Sequence, residues 1–210
     1  MTLIVIMGPQ GSGKGTQGEL LEDKGYTHVA MGDVLKDIMR SDHPKADMVK
    51  EYIERGDLIP DDLNNDILDD TIHRVDDNII LDGYPRDHAQ AEHLIDDHDV
   101  DLVVDIEISD DEAIRRLSKR RVCTATHKSY SVDEITEEDR KTCRAQGGKI
   151  IQREDDTPEA IQHRLDIYHD QTQPLISFFD DHDIPVETID GEQTKQGVHD
   201  DIVDAINKYT

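Results

Sequence analysis

One stretch decides the fold of this 210-residue chain: Gly8-Pro9-Gln10-Gly11-Ser12-Gly13-Lys14-Gly15-Thr16. It follows the β-branched run Leu3–Met7, which predicts a buried strand, and it opens a helical pattern that ends near Gly25. A strand, a glycine-rich turn and a helix in this order predict a phosphate-binding loop. Glycines let successive backbone N–H groups turn inward, the helix N-terminus adds partial positive charge, and Lys14 reaches the terminal phosphates. The motif departs from its general form because Gly15 separates the lysine from Thr16, whose hydroxyl is a candidate ligand of Mg²⁺.

The charge balance of the chain is strongly acidic. It has 49 acidic residues against 23 basic ones and a net charge of −26, and the acids recur in pairs along the whole length. Two explanations are open: an acidic surface that binds a basic partner, or adaptation to concentrated salt. Scattered acids favour salt adaptation, because the Debye length shrinks to about 3 Å near 1 M salt and self-repulsion is then tolerated. Nucleic acid is not an expected partner, since such binding requires a basic face.

Composition also bounds the compartment. The chain is 35% hydrophobic and lacks Trp, so we expect a lean aliphatic core. Only two cysteines occur, Cys123 and Cys143, which is too few for a disulfide framework. The apolar run at the N-terminus is too short for a signal peptide, and no stretch approaches transmembrane length. We therefore predict a cytoplasmic protein that does not enter membranes.

Strand-like apolar runs recur at residues 27–30, 78–82, 102–106 and 186–189, with helical patterns between them. This alternation predicts an α/β fold in which a parallel sheet carries helices on both faces. Asp61 is predicted to cap the helix that reaches residue 74. A second long helix is predicted from residue 157 onward, with a bend before Pro174. The strand at 78–82 ends in Asp82, a carboxylate that is a candidate for holding Mg²⁺, directly or through water.

A concentrated basic patch lies at residues 115–121, just before the helical and strand periodicity fails at 122–156. The latter segment indicates an insertion or flap. In the patch, Arg116 and Arg120 stand at i,i+4, where like charges repel by roughly a few tenths of a kcal/mol. A bound anion explains such a patch better than a solvated face does, because the surrounding sequence is poor in Lys and Arg.

Further motifs follow the phosphate loop in one order: Gly32-Asp33, Leu81-Asp82-Gly83-Tyr84-Pro85-Arg86 with Gln90, Arg116 and Arg120, Arg153 before Asp155-Asp156, and Arg164. Over almost its whole length the chain resembles the adenylate kinase family of nucleoside monophosphate kinases. The resemblance implies a P-loop NTPase three-layer core with a parallel five-stranded sheet, a small helical NMP-binding insertion and a lid insertion. By position, the core takes residues 1–29, 60–121 and 157–210, the NMP-binding domain takes 30–59, and the lid takes 122–156.

The resemblance also implies a reaction, the reversible transfer of the terminal phosphoryl group of MgATP to AMP to give two ADP, by electrostatic stabilisation and lid closure. The residues expected to bind ATP are Gly11, Ser12, Gly13, Lys14, Gly15, Thr16, Arg116 and Arg120. Those expected to bind AMP are Met31, Lys36, Leu58, Ile59, Gly83, Arg86, Gln90, Arg153 and Arg164. Catalytic roles are expected for Lys14, Arg86, Arg120, Arg153 and Arg164, and Mg²⁺ binding is expected for Thr16 and Asp82.

Two positions of the expected AMP pocket depart from the pattern. The family usually has Thr at the position of Met31 and Arg at that of Lys36. Met31 removes a hydroxyl, and Lys36 supplies a point charge in place of a planar fork. AMP recognition is therefore less firmly predicted than ATP phosphate binding.

The lid departs from the family in its cysteines. Some relatives carry a zinc site of two Cys-x-x-Cys-like pairs there. This chain offers Cys123-x-x-Thr126 with His127, and Cys143-x-x-Gln146, which falls short of the four ligands that a structural zinc needs. We expect no zinc and a hydrogen-bonded remnant of the tetrad. A disulfide is not expected in a reducing cytoplasm.

Two other functions compete with this prediction. The first is another nucleoside monophosphate kinase, either a GTP:AMP or a UMP/CMP kinase. Gln90 favours adenine, because pyrimidine-specific relatives tend to place Asn soon after the Pro-Arg step. The second is a P-loop switch protein, which would need a guanine-reading Asn-Lys-x-Asp stretch. Asn207-Lys208 lacks the following Asp, so the switch is disfavoured and we expect a monomeric enzyme acting on small nucleotides.

Overall fold

The computed structural model describes residues 1–55, 59–153 and 156–210 of the chain. A five-stranded sheet forms its centre, in the order β2-β3-β1-β4-β8, with every neighbouring pair parallel. Its strands are β1 (Leu3–Met7), β2 (Tyr26–Ala30), β3 (Asn78–Asp82), β4 (Leu102–Glu107) and β8 (Val186–Asp190). The predicted α/β fold with a parallel five-stranded sheet is thus confirmed. Because β1 lies between β3 and β4, the chain reverses its winding beside β1, and the loops at this carboxyl edge line a crevice.

Helices cover both faces of the sheet. Before β4 they are α1 (Lys14–Glu22), α2 (Met31–Met39), α3 (Ala46–Arg55), α4 (Asp61–Ile72) and α5 (His88–Asp97). After it they are α6 (Asp110–Lys119), α7 (Glu137–Ala145), α8 (Pro158–Ile167), α9 (Leu175–Asp181) and α10 (Lys195–Tyr209). One face packs against Ile67, Leu94 and Phe179, and the other against Leu21 and Ile202, all of them fully buried. These two aliphatic layers fix the strand ends from which the site is built.

Two local predictions had different outcomes. The bend predicted before Pro174 is present as a π turn at Tyr168–Thr172, between α8 and α9. Asp61, by contrast, does not cap α4: Pro60 occupies the N-cap position, and no side-chain hydrogen bond caps the helix there. The carboxylate of Asp61 instead accepts a hydrogen bond from Gln90 at 2.8 Å, so a tertiary contact outweighs the local capping preference.

A separate three-stranded antiparallel sheet is formed by β5 (Arg120–Cys123), β6 (Ser129–Ser131) and β7 (Ile150–Ile151). The same segment contains α7, a helix that the sequence analysis did not predict. Thr136 and Asp139 form a capping box at its start, and Cys143 is its one buried residue. A helix that buries so little shows almost no apolar periodicity, which explains the missed prediction. The predicted limits of the lid at 122 and 156 stay a prediction.

The two cysteines of this segment are joined as a disulfide, Cys123–Cys143. The expectation of two hydrogen-bonded thiols without a disulfide was therefore wrong. The fold brings β5 and the end of α7 together so that the two Cα atoms lie 5.9 Å apart, which is within bonding reach. The expectation rested on the redox state of the compartment, which says nothing about this geometry.

Within the described residues, no helix combines the length and the apolar character needed to span a membrane.

Candidate active site

The phosphate loop leaves β1 and enters α1 by way of several glycines with positive φ. At Gly8, where φ is 131°, a Cβ atom would lie 2.4 Å from the carbonyl oxygen of Ile106 on the neighbouring strand. Only glycine fits this contact and this backbone conformation. Gly13, with φ of 106°, precedes α1 directly. The loop is therefore pressed against the sheet edge, with the N-terminus of α1 facing the crevice.

Lys14 lies at the centre of this loop. Its Nζ atom donates to the carbonyl of Gly8 at 2.6 Å and to that of Pro9 at 2.9 Å. Burial lowers the pKa of Lys14, whereas the nearby carboxylates of Asp82 and Asp105 act to raise it. A lysine held by two loop carbonyls is placed to donate to an anionic phosphate, which is a stronger acceptor than a carbonyl.

Ser12 and Asp82 give a local test of whether phosphate and Mg²⁺ fit here. The Ser12 hydroxyl is buried and has no hydrogen-bond partner within the described residues, so its donor is available to a ligand. Asp82 ends β3, and its Oδ2 atom lies 3.7 Å from where a Cβ of Gly15 would stand, one residue before Thr16. Carboxylate and hydroxyl oxygens are ligands that suit Mg²⁺, and Asp82 lies beside the loop segment that carries Thr16.

His28 on β2 is a further neighbour of Asp82, and the sequence analysis did not find it. Its Nε2 atom lies 3.5 Å from Asp82 Oδ2, and its ring packs against Gly18, where a Cβ would come within 2.4 Å. Burial lowers the pKa of His28, but the adjacent Asp82 outweighs burial and leaves it raised above the ordinary value. His28 thus places an ionisable ring beside the candidate Mg²⁺ ligand Asp82.

Arg116, a residue expected to bind ATP, lies beside the phosphate loop. Its Nη2 atom donates to the carbonyl of Gly191 at 2.8 Å, and its Nη1 atom donates to the carbonyl of Gly11 at 3.3 Å. Glu112, one turn earlier on α6, accepts from its Nε at 2.6 Å. These contacts fix the guanidinium plane against the start of the loop and the end of β8.

Asp156 brings two of the predicted arginines together. Its carboxylate has no exposed surface and accepts two hydrogen bonds from Arg120, at 2.9 and 2.6 Å. Arg164 on α8 donates to the same carboxylate at 3.1 Å. Sequence reasoning noted Asp156 only as part of a motif after Arg153 and missed this role. The available signal was an Asp-Asp pair close to three arginines in a chain poor in arginine.

Arg86 and Gln90 lie on the other side of the crevice, after β3. The backbone N–H of Arg86 donates to Gln90 Oε1 at 3.0 Å, and Arg86 Nε donates to the carbonyl of Gly83 at 2.8 Å. Gln90 is 6% exposed, and its Nε2 donates to Asp61 at 2.8 Å. Both the oxygen and the nitrogen of the Gln90 amide therefore have a hydrogen-bond partner in this structure. To recognise a base, Gln90 must share or exchange one of these partners.

The remaining residues of the expected AMP pocket are less convergent. Met31 is 2% exposed and belongs to the core, and Ile59 packs against that core from a half-buried position. Lys36 pairs with Asp33 at 2.7 Å. Arg153 is half-buried, and Leu58 lies outside the described residues.

Asp105 is a buried carboxylate that sequence reasoning also missed. It is 2% exposed on β4, and its Oδ1 atom has no hydrogen-bond partner within the described part of the chain. Burial raises the pKa of Asp105 to about 6, Glu107 acts in the same direction, and Lys14 opposes both. The only local feature of Asp105 in the sequence is that it interrupts the apolar run of β4, and this does not mark it as a residue of the site.

The raised pKa of Asp105 predicts a pH-dependent penalty on folding. Between roughly pH 4 and 6 the folded protein holds a proton that the unfolded chain has lost, so stability falls as pH rises through this window and the penalty is full above it. Asp105→Asn should raise the free energy of unfolding at pH 8 by about 2 kcal/mol, and the gain should disappear near pH 4. Urea unfolding at both pH values at fixed salt, with the exposed Asp96→Asn as control, measures this. If Asp105→Asn and the wild type differed in free energy of unfolding by the same amount at both pH values, the raised pKa of Asp105 would be contradicted.

The fold and the site together define a P-loop protein, in which burial lowers the pKa of the loop lysine, Lys14, and Arg86 and Arg120 lie close enough to lower it further. A sequence model of the family described as adenylate kinase matches residues 6–184. The adenylate kinase of Haloarcula marismortui is 41% identical over 212 residues, covering 99% of this chain and 97% of the relative. That of Salinibacter ruber is 36% identical, covering 98% and 99%, and that of Pyrococcus abyssi is 38% identical, covering 90% and 88%. This chain belongs to the adenylate kinase family.

Proposed function

We propose that the protein transfers the terminal phosphoryl group of MgATP to AMP, reversibly, to give two ADP. The observation that carries this proposal is the pair of guanidiniums gathered by buried Asp156, one of which, that of Arg120, lies near enough to Lys14 of the phosphate loop to add to the lowering of its pKa by burial. The chain also belongs to the adenylate kinase family. Phosphoryl transfer spreads negative charge over the transferring oxygens, so catalysis rests on positioning and electrostatic stabilisation. No general base is required, and we assign none.

On the donor side, the loop residues Gly11, Ser12, Gly13, Lys14, Gly15 and Thr16 would bind the phosphates of ATP. Lys14 would exchange its two carbonyl partners for β- and γ-phosphate oxygens, which are stronger acceptors. Arg116 would lie along the nucleotide, held by Gly191 and Glu112. Thr16 and Asp82 would hold Mg²⁺, directly or through water, and the ion would neutralise charge on the bridging oxygens.

Arg120, Arg153, Arg164 and Arg86 would contact the transferring group and the acceptor phosphate. Planar, permanently charged guanidiniums suit bidentate contacts with phosphate oxygens. Asp156 keeps two of them close together before substrate binds, since two guanidiniums would otherwise repel one another. Closure of the segment at 122–156 would exclude water, which competes with AMP as the acceptor.

On the acceptor side, Arg86 and Gly83 would bind the phosphate of AMP, and Gln90 would read its adenine. Met31, Lys36, Leu58 and Ile59 would complete the pocket. Lys36 would have to leave Asp33 to reach the nucleotide, so this part of the proposal depends most on movement. We further propose a monomer that works in the cytoplasm, with an acidic surface suited to concentrated salt.

The test is a panel assay for ADP formation. MgATP is supplied with AMP, UMP, CMP or GMP, and MgGTP is supplied with AMP, across a salt series. Turnover should be highest for MgATP with AMP, by about 100-fold over the other acceptors, and chelation of Mg²⁺ should abolish it. Faster turnover with UMP or CMP, or with GTP as the donor, would identify another nucleoside monophosphate kinase. Slow hydrolysis of ATP with no acceptor preference would contradict a kinase altogether.

A further inference from the structure

Arg86 is held by three hydrogen bonds in this structure. Two are local: its backbone N–H donates to Gln90, and its Nε donates to the carbonyl of Gly83. The third comes from the distant residue Thr172, whose Oγ1 donates to the backbone carbonyl of Arg86 at 2.7 Å. Thr172 therefore ties the segment after β3 to the second half of the chain.

The position of the Thr172 hydroxyl depends on an unusual turn. Residues Tyr168–Thr172 form a π turn, in which the N–H of Gln173 donates to the carbonyl of Tyr168 at 2.8 Å. Pro174 follows, and its ring lacks the N–H and would clash with the preceding turn of a regular α-helix. The extra residue of a π turn relieves this conflict and rotates the side chains after it. π turns are rare and are frequent at functional sites.

The turn is also anchored at its start. Tyr168 is 8% exposed and lies close enough to Asp105 to oppose the rise that burial causes in the pKa of that carboxyl. Asp105 is the β4 residue that pairs in register with Met7, just before the phosphate loop. His169 Nε2 lies 2.9 Å from Asp110 Oδ1 at the start of α6. The turn thus begins beside β4 and α6, two elements next to the phosphate loop. It ends at Thr172, whose hydroxyl donates to Arg86, and it therefore connects the two sides of the crevice.

We propose that Thr172 is a positioning residue for phosphoryl transfer: through the Arg86 carbonyl, it fixes where the Arg86 guanidinium stands relative to the phosphate loop. This inference rests on the proposed function, in which Arg86 binds the acceptor phosphate. Without the Thr172 hydroxyl, Arg86 would keep its charged guanidinium, but that group could occupy other orientations. Misplacement of a reacting group by a fraction of an ångström lowers turnover more than it lowers ATP binding.

The experiment compares Thr172→Val, which removes the hydroxyl at nearly constant shape, with Thr172→Ser, which keeps it. For ADP formation from MgATP and AMP, Thr172→Val should lower kcat by about ten-fold while the KM for MgATP stays within about two-fold. Thr172→Ser should restore most of the loss. The Nε–H resonance of Arg86 in a ¹⁵N NMR spectrum, assigned by its absence in Arg86→Lys, should shift in Thr172→Val and not in Thr172→Ser.

Thr71→Val is the matched control, because the Thr71 hydroxyl also donates to a backbone carbonyl, that of Ile67 at 2.7 Å, far from the crevice. It should leave kcat and the Arg86 resonance unchanged. The inference is overturned if Thr172→Val behaves like Thr71→Val, or if Thr172→Ser loses as much activity and melting temperature as Thr172→Val. Should the wild-type protein form no ADP from ATP and AMP, the proposed function fails instead, and the Arg86 resonance alone then decides whether Thr172 positions that residue.

Discussion

Replacing Lys14 with methionine is expected to lower turnover by about 10³-fold while the fold persists. The ammonium of Lys14 stands between two loop carbonyls and faces Asp82 and Asp105. Methionine keeps the length of the side chain but removes the charge that, in the proposed reaction, would stabilise the transferring phosphoryl group. Because methionine fills the same space without burying a charge, we expect the variant to remain folded.

The measurement is kcat for ADP formation at saturating MgATP and AMP, with thermal unfolding of the same samples. Lys24→Met is the matched control, because Lys24 is exposed beyond the end of α1. It should keep full turnover. Turnover of Lys14→Met within about ten-fold of the wild type would show that the loop holds nucleotide without stabilising the transfer.

Arg120→Ala is expected to lower turnover by about 10²-fold or more, because in the proposed reaction Arg120 would supply a bidentate guanidinium for the transferring group. In this structure, Nε and Nη2 of Arg120 both donate to the carboxylate of Asp156, at 2.9 and 2.6 Å. The variant leaves that fully buried carboxylate with Arg164. We therefore also expect a loss of stability of about 2 kcal/mol, from an imperfectly paired buried charge.

Arg120→Lys separates the two effects, since it keeps the charge and loses the planar fork. It should recover much of the stability and little of the turnover. Assays belong at a temperature where all variants are folded, and Arg115→Ala is the control, because Arg115 is exposed on α6 and pairs with Glu112 at the surface. Near-normal kcat in folded Arg120→Ala would remove this residue from the catalytic group.

Much of the architecture could be predicted because its signals are local. The strands of the central sheet are short apolar runs buried on both faces, and the phosphate loop has a spacing that few other structures require. The fold could therefore be predicted from β1 and its glycines onward. Helix α7 could not, because its stability comes from a capping box and a single buried cysteine rather than an apolar stripe.

The sequence predicted the cations of the candidate site, and it did not predict the residues that contact and orient them. Lys14, Arg116 and Arg120 follow from motif and charge pattern. Asp156, Asp105 and His28 act through contacts between residues far apart in the chain, and no local pattern distinguishes them from the many other acids and histidines. The Cys123–Cys143 disulfide belongs to the same class, since it depends on how β5 and α7 meet. Tertiary hydrogen bonds of buried polar groups are what sequence reasoning could not supply.

When both substrates are bound, we expect the scarce guanidiniums to converge on two nucleotides joined through their phosphates. The most direct measurement is a crystal structure with a bisubstrate mimic, two adenosines linked by a chain of phosphates. The account predicts that the guanidiniums of Arg86, Arg120, Arg153 and Arg164 lie about 3 Å from phosphate oxygens, with Lys14 on the donor phosphates. Side chains of these arginines turned toward solvent, with the phosphates bound elsewhere, would contradict it.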